Sequence, residues 1–181
     1  MTTGGDLAQA SLGQRGQVPL PVSLILIGLS YTAACVMAFA GVPVVRTADL
    51  PLLTFLTAAL VALRVVAARV EHPERWALAL FWVNLVIVGA AIWLSPAFGL
   101  YLFLGYYESG QLEGRARQAT GILGTAIVIA VAQVGGPRSV LFTPLVYGGF
   151  LAINLLATGL MTVLERRREA LYRELALTNA D

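Results

Sequence analysis

Long apolar segments limit most strongly what this chain can fold into. A helix needs about 20 apolar residues to cross the roughly 30 Å hydrocarbon core of a bilayer. The chain has six apolar segments, the fourth of them short, over 18–40, 50–68, 76–94, 96–107, 119–134 and 144–164. Charged residues make up only 12% of the sequence, against about 25% in soluble domains. We therefore predict an all-α, polytopic membrane protein with six transmembrane helices.

Proline placement supports these segment boundaries. The 8 prolines all fall at or near segment ends, where a residue without an N–H suits the first helical turn. Asp49, Ser95 and Thr143 precede or nearly precede such prolines, and we predict that each caps a helix N-terminus.

The arginines predict the orientation of the chain, because cytoplasmic loops of membrane proteins are enriched in Lys and Arg. With the N-terminus inside, the inner loops hold Arg15, Arg69, Arg75, Arg115, Arg117 and the Arg166–Arg168 cluster. The outer loops then hold only Arg46 and Arg138. This bias requires an even number of crossings, which six satisfies. We expect a multi-pass protein of the plasma membrane with both termini in the cytoplasm.

The chain divides into three parts. Residues 1–17 are rich in Gly and Gln and are predicted to form a disordered cytoplasmic tail. Residues 18–164 form the membrane domain, and residues 165–181 continue it into the cytoplasm. Because the predicted outer loops are very short, any stimulus must act in the bilayer, at its surface or on the cytoplasmic side.

The last apolar segment passes into the charged tail with no Gly or Pro between them. This predicts one helix that leaves the membrane and continues as an amphipathic rod. A heptad pattern of about two and a half repeats places five residues on one seam: Met161, Leu164, Arg168, Leu171 and Leu175. The pattern favours a coiled-coil signalling helix that forms a homodimer. The alternative is a juxtamembrane helix whose arginines only anchor it to anionic lipid.

The fourth segment, 96–107, is too short for an ordinary crossing. Twelve helical residues cover roughly 18 Å, so the segment must thin the bilayer, lean on its neighbours or re-enter. Its polar and aromatic candidates for sensing or packing are Tyr101, Tyr106, Tyr107 and Glu108. We favour an aromatic belt with an interfacial carboxylate. The alternative is a polar site that responds to bilayer thickness or to a bound amphiphile.

Few other polar residues lie within the apolar segments. Asn84 and Asn154 are near the middle of the third and sixth segments, and we expect them to hydrogen-bond across helices, with a ligand or ion contact as the alternative. We expect Arg64 to snorkel to the membrane surface rather than pair with Glu108. Small-residue spacings that allow close helix approach occur at Gly28/Thr32, Ala34/Ala38 and Gly121/Thr125.

The sequence has no motif for catalysis, cofactor binding or metal binding. The single histidine, His72, lies in a short loop, and the single cysteine, Cys35, lies in an apolar segment where it suits packing. There is no Cys/His cluster with zinc spacing and no phosphate-binding loop. We expect no catalytic, cofactor-binding or metal-binding residues in this chain, and no nucleic-acid partner.

Three stretches resemble the N-terminal membrane region of actinobacterial two-component sensor histidine kinases. They are Leu94-Ser-Pro-Ala-Phe-Gly99 with the short aromatic segment after it, Arg115-Ala-Arg117 with the span after it, and the exit helix Glu165–Leu175. The resemblance covers most of the chain from about residue 18 onward. It implies that the exit helix feeds a dimerisation helix with a phosphoacceptor histidine, and then an ATP-binding domain.

Neither part of that kinase core is in this sequence, and His72 matches neither the position nor the motif of the phosphoacceptor. The resemblance implies ATP and Mg²⁺ only for the kinase core, and a cytoplasmic output domain or response regulator as partner. We expect the sensing half of a longer protein, or a truncated form, that relays a bilayer or membrane-borne stimulus through its last helix. The alternatives are a small transporter or channel subunit, and a membrane partner protein.

Overall fold

The computed structural model describes residues 18–70 and 73–178. The predicted disordered tail and His72 lie outside these residues. The described part is all-α, with six helices and no strand, as predicted. The helices are α1 (Leu20–Phe39), α2 (Leu50–Arg69), α3 (Pro73–Leu94), α4 (Gly99–Gly110), α5 (Arg115–Gln133) and α6 (Pro144–Thr178). Short 3₁₀ turns at Thr47–Asp49 and Pro96–Phe98 precede α2 and α4.

Four of these helices are long and apolar enough to cross a membrane. They are α1, α2 with its preceding turn, α3, and the first part of α6 up to Leu164. The 12 residues of α4 are too few, and the 19 residues of α5 include Arg115 and Arg117, which lower its hydropathy. Six crossings therefore stay a prediction, although all six segments form helices.

The prolines lie in first turns, as predicted for α2 and for the turn before α4, and Pro144 is the first residue of α6. The predicted cap at Thr143 forms, because its hydroxyl accepts a 3.4 Å hydrogen bond from the Val146 N–H. The predictions for Asp49 and Ser95 are wrong, since neither side chain caps a helix. Asp49 instead pairs with Arg138, and the buried Ser95 hydroxyl has no hydrogen-bond partner among the described residues.

Helices α1 to α5 share one hydrophobic core. Helix α1 packs against α2 and α4, and α3 packs against α2, α4 and α5. One end of this bundle carries Arg69 at the end of α2, Arg75 in the first turn of α3, and Arg115 and Arg117 in the first turn of α5. We call it the arginine end. The opposite end carries the ion pair between Asp49 and Arg138, which joins the α1–α2 and α5–α6 connections.

Helices α4 and α5 approach each other closely through small residues in antiparallel register. A Cβ atom added at Gly99 would lie 2.7 Å from Cβ of Ala132, and one at Gly121 would lie 2.9 Å from Cβ of Ser109. Both distances are too short for real atoms, so only glycine permits this separation of the two backbones. The short α4 is therefore held along its length by α5.

Helix α6 is attached differently from the other helices. It packs mainly against α5, and only 6% of the residues in its apolar part are buried. It is one unbroken helix of 35 residues, about 52 Å long, which exceeds the hydrocarbon thickness of a bilayer. The helix that the sequence predicts to be continuous is thus the least embedded in the bundle.

Candidate functional site

Arg64 of α2 is the centre of a buried polar network. Its Nη1 forms an ion pair with Oε1 of Glu108 on α4, and the side chains of Arg64 and Glu108 are only 14% and 15% exposed. Its Nε donates a 2.5 Å hydrogen bond to the Tyr101 hydroxyl. The guanidinium carbon also lies 5.3 Å from the centroid of the Tyr101 ring, within the range of a cation–π contact.

The prediction that Arg64 snorkels outward is therefore wrong. The reason is the spacing of its partners on α4, because Tyr101 and Glu108 are separated by about two helical turns and share one face. The planar guanidinium carries donors in a rigid fork, so one arginine can bond both residues. The ion pair with Glu108 also supplies a negative charge, without which burial of the guanidinium would be strongly unfavourable.

The network continues from α4 to α3. The Tyr101 hydroxyl donates a 2.7 Å hydrogen bond to Oδ1 of Asn84, and Tyr101 is only 1% exposed. Glu108, Arg64, Tyr101 and Asn84 thus form one chain of polar contacts, which we call the Arg64 network. It links α2, α3 and α4.

Some buried polar atoms have no partner in the described part of the chain. Among them are Nη2 of Arg64 and, on α1, the hydroxyls of Ser23 and Ser30. The network itself contains one cation and one anion in direct contact, so its formal charges cancel. A paired guanidinium and carboxylate present neither a free base nor a free nucleophile.

The other sequence candidates lie elsewhere. Tyr107 is exposed on the outer face of α4 with Leu100 and Phe103, while the buried Tyr106 hydroxyl makes no hydrogen bond of good geometry to any residue that the structure describes. The structure thus brings together Asn84, Tyr101 and Glu108, but it does not bring Tyr106 or Tyr107 into the network. In the described residues, no group of three or more His, Cys, Asp and Glu could hold a metal ion.

Asn154 forms a second polar contact, which attaches α6 to α5. Its Nδ2 donates a 2.7 Å hydrogen bond to Oε1 of Gln133, and Nε2 of Gln133 donates a 3.4 Å bond to Oδ1 of Asn154. The Tyr147 hydroxyl donates a 3.3 Å bond to the Ile127 carbonyl. The sequence by itself does not predict a role for Gln133. The available signal is a polar residue at the end of the apolar segment 119–134.

Removing one amide of this pair is expected to loosen α6. The variant Asn154→Leu leaves the Gln133 amide without its partner, and we expect a loss of about 0.6 to 1.7 kcal/mol, from the average to the maximum measured for interhelical hydrogen bonds in a membrane protein. The double variant Gln133→Leu/Asn154→Leu should recover part of this loss, since no amide remains unpaired. Reversible unfolding in bicelles measures both; a double variant as unstable as the sum of the single ones would contradict the pairing.

The residues predicted to form a signalling helix lie on an open side of α6. Met161 is 64% exposed, Leu171 is 59% exposed, and Leu164 is also exposed. Helix α6 includes Arg168 and Leu175, but their side chains lie outside what the structure describes. The described members of the predicted seam therefore do not pack against the rest of the chain.

The outcome of comparison with known proteins is negative: the chain matches no family model, no curated protein and no solved structure.

Proposed function

We propose that this chain is a membrane-embedded sensing and signal-transmitting module of the plasma membrane. In this proposal all six helices cross the bilayer, both termini are cytoplasmic, and the signal leaves through α6. The observation that carries the proposal is α6 itself, which is unbroken from Pro144 to Thr178 and is attached mainly to α5. A long helix held mainly by one neighbour can shift without disturbing the other helix interfaces of the bundle.

Three contacts in series provide a route from the short helix to α6. The Arg64 network fixes α4 to α2 and α3. The glycine contacts hold α4 against α5, and the Gln133–Asn154 pair holds α5 against α6. Because closely packed interfaces rearrange in discrete steps, a displacement of α4 biases the position of α6. A stimulus that favours one of the two arrangements shifts their populations.

The same proposal includes a homodimer through α6. An apolar heptad seam that continues into water gains stability by packing against a second helix. The exposure of Met161, Leu164 and Leu171 supports such packing. By the resemblance to sensor kinases, the dimer helix leads to a cytoplasmic output domain or to a kinase with a response regulator, and ATP and Mg²⁺ belong to that core alone.

An insertion experiment tests the transmitting role. A histidine kinase core is fused after Asp181, and one to four residues are inserted beside Glu165. Each inserted residue rotates the distal helix by about 100°. We therefore expect kinase activity in liposomes to change with one or two inserted residues and to return with three or four. Activity that ignores the phase of the insertion would contradict the proposal.

The control for this experiment is the same set of insertions in a soluble fusion that lacks residues 1–164. The activity of the soluble fusion should change only because the insertion disturbs the coiled coil itself. A phase dependence of equal size in both fusions would show that the membrane helices contribute nothing.

A transporter or channel subunit is the second candidate. This candidate gains support from polar residues inside α1 to α4, which are buried at Ser23, Ser30, Asn84, Tyr101 and Ser109 and half-buried at Arg64 and Glu108. Replacing Asn84, Glu108 and Asn154 together with apolar residues tests it. Flux into liposomes that is absent at the start, or unchanged by the replacement, excludes this candidate. A membrane partner protein is the third, and co-purification of a fixed partner would favour it.

A further inference from the structure

A small cavity lies at the arginine end of the bundle, away from the Arg64 network. Its volume is about 100 Å³. It is lined by the beginning of α3, the α4–α5 loop and the first turn of α5, through Ala77, Leu78, Gln111, Leu112, Glu113 and Arg117. None of these residues takes part in the Arg64 network or in the contacts of α6 described above.

The cavity has an apolar floor and a charged rim. Leu112 is buried and Ala77 and Leu78 are half-buried, while Gln111, Glu113 and Arg117 are exposed. Trp76, which precedes Ala77, is 59% exposed, and exposed tryptophans mark the level where a bilayer meets water. An apolar floor below a polar rim at this level matches the headgroup and first acyl carbons of a lipid.

The electrostatics of the rim select a phosphate group. Helices α3 and α5 both begin at this end, and helix N-termini carry a partial positive charge. Arg117 adds a full positive charge with planar donors that suit phosphate oxygens, and the Gln111 amide adds two further donors. Glu113 is the single acidic group in the lining, so the rim carries both a cation and an anion.

We propose that this cavity binds the headgroup of a zwitterionic phospholipid that carries a primary ammonium, of the phosphoethanolamine type. The phosphodiester contacts Arg117 and Gln111, the ammonium contacts Glu113, and the first acyl carbons lie on Ala77, Leu78 and Leu112. A purely anionic headgroup would leave Glu113 facing a negative charge. A trimethylammonium headgroup could not donate hydrogen bonds to it. The site requires the chain to lie in a bilayer, but it does not depend on signalling through α6.

Lipid competition on the whole protein tests this site. The full chain in detergent micelles is titrated with phosphatidylethanolamine, phosphatidylglycerol and phosphatidylcholine of identical acyl chains, and bound lipid is counted by native mass spectrometry. We expect phosphatidylethanolamine to bind best. Arg117→Gln should weaken binding of all three lipids by about threefold to tenfold. Glu113→Gln should reduce only the preference for ethanolamine over glycerol, by about twofold to fivefold.

The control is Arg46→Gln, which removes an exposed arginine at the opposite end of the bundle and should leave the lipid preference unchanged. Equal binding of the three lipids, a preference for phosphatidylethanolamine that survives Glu113→Gln, or lipid binding unchanged by Arg117→Gln would overturn the proposal. Displacement of the lipid by millimolar inorganic phosphate would also overturn it, because the cavity would then be a site for a soluble anion.

Discussion

The variant Glu108→Leu is expected to lower the free energy of unfolding by about 3 kcal/mol. The loss is large because Arg64, only 14% exposed, would remain buried without its carboxylate. Removing one partner of a buried ion pair costs about 3 to 5 kcal/mol, and an arginine at the centre of a membrane helix costs about 2.5 to 3.5 kcal/mol. The hydrogen bond to Tyr101 cannot compensate, since it supplies no negative charge.

The double variant Arg64→Leu/Glu108→Leu should recover most of this stability. It leaves neither charge unpaired, and well-packed apolar replacements of buried ion pairs are often neutral or stabilising. Unfolding of the two single variants, Arg64→Leu and Glu108→Leu, and of the double variant in bicelles, analysed as a double-mutant cycle, gives the coupling between the two residues. If the loss of free energy in the double variant equals the sum of the two single losses, the ion pair contributes no coupling and the Arg64 network does not hold α4.

The ion pair at the opposite end of the bundle provides a matched control. Arg138 and Asp49 are 28% and 22% exposed, so water can solvate whichever charge remains. We expect Asp49→Ala to cost about 1 kcal/mol or less, as for other solvent-accessible pairs, and the loss should shrink further at high salt.

The variant Gly121→Leu is expected to separate α4 from α5. Even a Cβ atom at Gly121 would lie 2.9 Å from Cβ of Ser109 and 3.0 Å from Cδ1 of Leu112, so a leucine cannot fit without moving one helix. Overpacking of a close interface typically costs about 1 to 3 kcal/mol, and we expect the upper part of this range. Gly99→Leu should act similarly, because a Cβ there would lie 2.7 Å from Cβ of Ala132.

The control for both variants is Gly148→Leu on α6. An added Cβ at Gly148 meets no atom within 4 Å, and leucine favours the helix more than glycine does. We therefore expect this variant to be neutral or slightly stabilising. The measurements are reversible unfolding in bicelles and disulfide cross-linking between cysteines introduced on α4 and α5. Equal stability of the Gly121 and Gly148 variants would show that the α4–α5 contact is not close.

The sequence predicted the helices better than it predicted their contacts. Apolar length and proline position are local properties, and they placed all six helices within a few residues of their observed bounds. Small-residue spacing was less informative, because Gly121 lies in a close interface while Gly28, chosen on the same pattern, meets nothing within 4 Å. The spacing shows that a helix allows close approach, but it does not show whether another helix packs there.

The sequence by itself determined that the chain forms helices, where they begin and end, and that the last one runs on without a break. These properties follow from residue propensity and from hydropathy over short windows. Only the tertiary structure decided that Arg64 pairs with Glu108, 44 residues away, and that Gln133 holds Asn154. The physical reason is that an ionisable side chain in an apolar segment has two ways to avoid unpaired burial. It can reach the surface or find a partner, and the choice depends on which face of another helix is opposite.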